Sequence, residues 1–241
     1  MRVEIAVQDP AGAAIADHAG AARAELCVGL PLGGLTPSVG LVRRIRAMVP
    51  ALPLHVLIRP RPGGFTYSPA ELDVMAADID AAASEGAAGV VVGVLTAGDD
   101  VDAGALRILR QAAPAIEYTF HRAIDHTPSP VHALEAISAA GFTRVLTSGG
   151  AVSAAQGLDT LGSMVAAQSG LTILAGGGVV LGDLPALSAV GITEVHLSAK
   201  ATHRPPGGGI SLGVSDTEGN SYQVTDPLQV AEVIGRANRL P

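Results

Sequence analysis

The chain has 241 residues, which fits one large domain or two small ones and is long enough to bury a sizeable core. Of these residues 48% are hydrophobic, yet there are only three Phe, three Tyr and no Trp, so Ala, Val, Leu and Gly must fill the interior. A net charge of −7 without a dense basic run argues against a nucleic-acid partner. No apolar stretch reaches the roughly eighteen residues that a membrane span needs.

The N-terminus carries no secretory leader pattern: Met1-Arg2 runs straight into the alternating Val3-Glu4-Ile5-Ala6-Val7. Strand-like segments then recur at Val3–Val7, Ala24–Val28, Leu54–Arg59, Gly89–Leu95, Ala115–His121, Arg144–Thr147, Leu171–Ala175 and Glu194–Ala199. Helical stretches fill the gaps at 10–19, 38–48, 69–85, 102–112, 129–140, 153–167, 182–189 and 226–238. Ser38 and Ser153 are expected as N-caps, Pro69 and Pro130 in first turns, and Gly86, Gly141 and Gly191 at C-terminal caps. Eight strands each followed by a helix predict an α/β fold, a single-domain (β/α)8 TIM barrel over residues 1–241. A doubly wound sheet is the weaker reading, because the first strand ends in Val7-Gln8-Asp9-Pro10 and not in a Gly-x-Gly-x-x-Gly turn. Residues 203–225 read as a Gly/Pro-rich flap, then a hairpin of Ile210–Ser215 and Ser221–Thr225 around Glu218-Gly219-Asn220.

Alternation along the strands sorts their faces. Val3, Ile5 and Val7 oppose Glu4; Leu26 and Val28 oppose Glu25 and Cys27; Leu54, Val56 and Ile58 oppose His55 and Arg59. Tyr118 and Phe120 oppose Thr119 and His121, and Val195 and Leu197 oppose Glu194 and His196. If the apolar sets meet the helices, the charged sets face the lumen. For strands six and seven the sequence does not decide the inward face. Unpaired buried charge is costly, so a lumen holding Glu4, Glu25, Arg59, His121, Glu194 and His196 asks for a chemical reason.

His121, His196, Glu25 and Arg59 form the candidate catalytic pocket, with the histidines as acid/base groups and a carboxylate as their partner. The plain alternative is a set of satisfied core residues. Arg59 and Arg61 are carboxylate or phosphate clamps, or a counterweight to lumenal glutamates. Ser148-Gly149-Gly150 after strand six and Gly176-Gly177-Gly178 after strand seven are candidate anion cradles, where the alternative is tight turns. Cys27 is the only cysteine, which excludes an intramolecular disulfide and fits a reducing cytoplasm. It is the candidate Cu(I) ligand, with a small buried hydrophobe as the alternative. No Cys-x-x-Cys, His-x-x-x-His or Met cluster prefigures a multidentate metal cage.

Seven segments together resemble the CutC copper homeostasis family: Glu25-Leu26-Cys27, Gly33-Gly34-Leu35-Thr36-Pro37-Ser38, Ile58-Arg59-Pro60-Arg61, Phe65-Thr66-Tyr67-Ser68, Thr119-Phe120-His121-Arg122-Ala123, Leu146-Thr147-Ser148-Gly149-Gly150 and Glu194-Val195-His196-Leu197-Ser198. The resemblance runs in order from Arg2 to the neighbourhood of Lys200. It implies a cytoplasmic TIM barrel linked to copper tolerance, with Cu(I) as the one cofactor and the cysteine matching Cys27 among its suggested ligands. The chain departs from the family pattern at Ile124, where Phe usually precedes the aspartate matching Asp125, and in the longer, Gly-rich stretch 203–225.

Two functions of different class follow. The resemblance implies a copper homeostasis protein that binds or traffics Cu(I). The residues themselves suggest a TIM-barrel enzyme acting on a small phosphorylated or carboxylated metabolite. The expected partners are a copper ion or a small anionic metabolite, without nucleic acid or membrane, and with homo-oligomerisation left open.

Overall fold

The computed structural model describes residues 1–204 and 221–240. Eight parallel strands close into a barrel in chain order: β1 (Arg2–Val7), β2 (Arg23–Leu26), β3 (Leu54–Leu57), β4 (Gly89–Val92), β5 (Glu117–Phe120), β6 (Arg144–Thr147), β7 (Thr172–Ala175) and β8 (Glu194–Leu197). Closure is made by β1 and β8, in a register that sets Arg2 beside Glu194 and Glu4 beside His196. The helices are α1 (Pro10–Ala19), α2 (Val39–Met48), α3 (Pro69–Ser84), α4 (Ala103–Ala112), α5 (Pro130–Ala139), α6 (Leu158–Ala166), α7 (Leu184–Ala189) and α8 (Pro227–Ala237). The predicted (β/α)8 architecture is the observed one.

Side chains written into the sequence start most of these helices. Asp9 accepts from the Gly12 amide at 2.7 Å, and Ser38 accepts from the Leu41 amide. Ser68 and Glu71 form a reciprocal capping box around Pro69. The expected start of α6 is displaced. Ser153 does not cap it; residues 153–157 make tight turns, and the helix begins after Gly157 without a side-chain cap. Past the barrel, a strand β10 (Tyr222–Thr225) pairs antiparallel with β9 (Lys200–His203). Pro205 to Gly209, the expected strand Ile210–Ser215 and the turn at Glu218-Gly219-Asn220 lie outside the described residues.

Apolar strand faces meet the helices, as alternation requires. Val3, Ile5, Val7, Leu26, Val56, Val90, Tyr118, Phe120, Val145 and Val195 all belong to one buried cluster between barrel and helices. The Tyr118 hydroxyl donates to the Leu109 carbonyl at 3.0 Å, which satisfies the one polar tip in that shell of strand aromatics. The other face of each strand points into the lumen. There Cys27, Leu57 and Val91 make a small apolar cluster of their own, with Leu30 against it. For β6 the inward set is Arg144 and Leu146, the second of which lines the cavity described below.

Candidate active site in the barrel lumen

The charged lumen divides into two storeys. At the N-terminal ends of the strands the charges pair with one another. Arg23 donates to the Glu4 carboxylate and, at 2.9 Å, to Glu194 Oε2. Arg144 donates to the same Glu194 oxygen at 3.0 Å and reaches Glu117 at 3.2 Å and Thr119 Oγ1 at 3.3 Å. Arg2 closes the set on Glu194 Oε1 at 3.2 Å. His55 lies 3.6 Å from Glu117, and burial pushes its pKa down to about 4, so the ring is neutral. Glu194 therefore serves the structure of this storey, where two of the six expected lumenal residues, Glu4 and Glu194, are compensated by arginines. Alternation put His55 on the inward face, whereas Arg23, Arg144 and Glu117 carried no expected role. Along the same inward faces, Arg23 lies two positions before Glu25, and Glu117 lies four before His121.

Above this storey opens a cavity of about 380 Å³, at the C-terminal side of the barrel. Glu25, Cys27, Arg59, His121 and His196 all line it, so the structure brings together every member of the candidate catalytic set with the lone cysteine. Its volume is within the range of small-metabolite pockets.

On the cavity floor His196 Nδ1 sits 2.7 Å from Glu4 Oε1 and 3.6 Å from Glu25 Oε2. Burial alone would raise the Glu4 pKa, but Arg23 and the hydrogen bond from His196 hold it well below the usual carboxylate range. Glu25 has no such arginine in contact. Burial pushes its pKa up to about 7 against the pull of His196, and its Oε2 is buried without a hydrogen-bond partner. Burial would lower the His196 pKa, but Glu25 and Glu4 raise it overall. Donor atoms of Glu4, Glu25 and His196 lie within 4.8 Å of one another, which makes them the one potential metal-holding cluster among the described residues.

Cys27 sits just past β2 and is 1% exposed. Burial, and next the charge of Glu25, push its thiol well above the ordinary range, so the free protein holds it as a thiol.

His121 follows β5 directly and caps a 3-10 turn over Arg122–His126. Its Nδ1 accepts a hydrogen bond from the Ala123 amide at 3.1 Å. Burial, then the charge of Arg59, push its pKa down to about 3. The ring is a neutral imidazole with its proton fixed on Nε2, and that Nε2 is buried without a partner. Gly93 makes the ring position feasible: a Cβ there would stand 2.4 Å from His121 Nδ1.

Arg59 also lies just beyond its strand, tied to the loops by its guanidinium. It donates to the carbonyls of Leu32, Gly34 and Gly63 at 2.8, 2.9 and 3.0 Å, while its Nε is buried and unpartnered. Arg61 does a different job. It holds Glu71 and the carbonyls of Gly64 and Thr66 around the start of α3, outside the cavity.

The expected anion cradle at Ser148, Gly149 and Gly150 is already filled from within. The Asp125 carboxylate accepts from the amides of Ser148 at 3.1 Å and Gly150 at 3.0 Å, and from Thr147 Oγ1 at 2.5 Å. The Gly149 amide donates to Thr147 Oγ1 and the Gly176 amide to the Thr147 carbonyl. A free anion would have to displace Asp125, so Asp125, Thr147, Ser148 and Gly150 form a structural knot. Gly177 and Gly178 do line the cavity. Arg122 lies against Gly177, held by Asp125 at 2.8 Å and Ser148 Oγ at 2.9 Å.

Comparison with known proteins places this geometry in a family. The CutC family model matches residues 1–201. A CutC family protein of Xylella fastidiosa (strain Temecula1) is 39% identical over 234 residues, covering 96% of this chain and 87% of its own. One from Porphyromonas gingivalis (strain W83) is 42% identical over 202 residues, covering 83% of this chain and 81% of its own. Among solved structures, the CutC protein of Streptococcus agalactiae superposes with a TM-score of 0.78 at 28% identity, over 82% of this chain and 98% of that one. With the barrel, the cavity and these relatives in hand, the chain belongs to the CutC family.

Proposed function

We propose that this protein serves copper homeostasis by binding copper in the barrel cavity, with Glu25 and His196 as its first donors. The name of the S. agalactiae relative provisionally assigns that protein to copper homeostasis. The observation that carries the reading here is the unpartnered Glu25 Oε2, placed within 4.8 Å of donor atoms of His196 and Glu4. Glu4 is committed to Arg23 and His196, and its bond to His196 Nδ1 fixes the imidazole's orientation, leaving the other ring nitrogen for an ion. A carboxylate and an imidazole suit divalent copper. Cys27, on the same cavity wall, is the soft donor that Cu(I) would recruit. The lone, unbridged cysteine fits work in a reducing cytoplasm.

Competition titrations with chelators specific for Cu(I) and for Cu(II) test this reading. The Glu25→Gln and His196→Asn proteins should each lose at least about tenfold in Cu(II) affinity, and Cys27→Ser should lose Cu(I) affinity alone. Wild-type protein that competes for neither ion would remove copper from the cavity.

A further inference from the structure

Two side chains that line the cavity, His121 and Arg59, each carry a buried nitrogen without a hydrogen-bond partner among the described residues. His121 presents Nε2–H, its other nitrogen being occupied by the Ala123 amide, and Arg59 presents Nε–H. Both side chains are more than nine-tenths buried, at 5% and 7% exposure. Leaving a donor buried and unpaired costs about 1–3 kcal/mol, and here two such donors sit on one cavity wall. Phe65 links them: its ring centroid is 5.0 Å from that of His121, and the Arg59 guanidinium carbon is 5.4 Å from it.

Charge says what completes them. The Arg59 guanidinium donates to three neutral carbonyls, has the Tyr67 hydroxyl beside it, and pairs with no carboxylate among the described residues. The other arginine on the cavity wall, Arg122, already has Asp125. One buried positive charge is therefore left over on this wall. A monoanion balances it; a phosphate monoester, closer to a dianion, would overshoot. Two N–H groups, one of them charged, fit an acceptor-only oxygen pair.

We propose that the cavity binds a small organic monocarboxylate, whose oxygens accept from His121 Nε2–H and Arg59 Nε–H. His121 acts in this site as a fixed neutral donor, not as a base. The copper reading is independent of this one, since it uses the opposite end of the cavity.

The test uses full-length protein labelled with 15N at histidine, kept in metal chelator, with pyruvate, lactate and inorganic phosphate as probes. In the free protein the His121 signals, assigned by their loss in His121→Gln, should report a neutral Nε2–H ring down to pH 5. Pyruvate or lactate should shift the Nε2 signal, and Arg59→Lys, which keeps the charge but removes Nε–H, should weaken that binding by at least about tenfold. An unresponsive His121 signal with both carboxylates would overturn the proposal whatever the variants do. So would phosphate binding without carboxylate binding, or carboxylate affinity unchanged in Arg59→Lys.

Discussion

Glu4 Oε1 and His196 Nδ1 stand 2.7 Å apart, although 192 positions separate them along the chain. They meet across the seam where β1 pairs with β8, so one contact joins barrel closure to the floor of the cavity. Glu4 also receives Arg23, and both partners are buried.

Removing that carboxylate should be expensive. Glu4→Gln leaves Arg23 short of a counter-charge in the interior, a change that typically costs about 3–5 kcal/mol. Urea unfolding at pH 7 checks the magnitude. Acid unfolding checks the sign: Glu4 in the folded protein ionises below its ordinary 4.5, so its contribution is present above pH 4.5 and is lost as the pH falls further. The variant should accordingly lose stability less steeply than wild type below pH 4.5.

Glu25 has the opposite sign. Its folded-state pKa lies near 7 against an ordinary 4.5, so the folded protein holds a proton that the unfolded chain releases. Stability then declines as the pH rises from 4.5 to 7. Glu25→Gln removes the buried, unpartnered carboxylate and should be more stable than wild type at pH 8, by about 1–3 kcal/mol, with little gain at pH 5. Paired melting curves at the two values decide it; an equal effect at both would mean that Glu25 is not the group losing the proton.

The thiol of Cys27 should be slow to react. It is buried, and held protonated by burial and by Glu25. Native protein treated with an aromatic disulfide reagent at pH 8 should release the chromophore at least about a hundredfold more slowly than urea-unfolded protein. Equal rates would show the lumen to be open to reagents of that size.

Asp125 stands where an external anion was expected. Asp125→Ala frees the amides of Ser148 and Gly150 together with Arg122, and should cost about 3 kcal/mol, given the charge-assisted bonds it removes. Hydrogen exchange at Ser148 and Gly150 should accelerate in step. Unchanged protection would assign the loop's order to its glycine turns.

The βα alternation was legible because short strand-like segments alternate with helical stretches bounded by cap or turn residues, as at Ser68-Pro69 and Gly141. The inward placement of Glu25, His121 and His196 was legible from period-two alternation alone. What escaped has physical reasons. Arg23 and Arg144 each open a strand, where an arginine reads as a solvent-facing end, and only the closed ring brings both to Glu194. Asp125 lies in a turn, and its bonds to residues 22 to 25 positions away have no local signature. The role of His121 as a donor depends on the Ala123 amide, which backbone geometry fixes and composition does not. Ser153 misled for a related reason. Its neighbours satisfy their own amides in tight turns, so a good capping residue was left with no helix to cap.

Two guanidinium groups, Arg23 from β2 and Arg144 from β6, converge on a single oxygen of Glu194, the first residue of β8. On a growing chain that oxygen is the last part of the lower storey to be synthesised. Until it emerges, every preceding strand can be in place and the ring still carries cationic charge without its shared acceptor. Polypeptides ending before Glu194 should remain protease-sensitive open sheets, and native resistance should appear only once β8 has docked. The eighth barrel strand is then both the keystone of the ring and the checkpoint that separates a finished barrel from an arrested one.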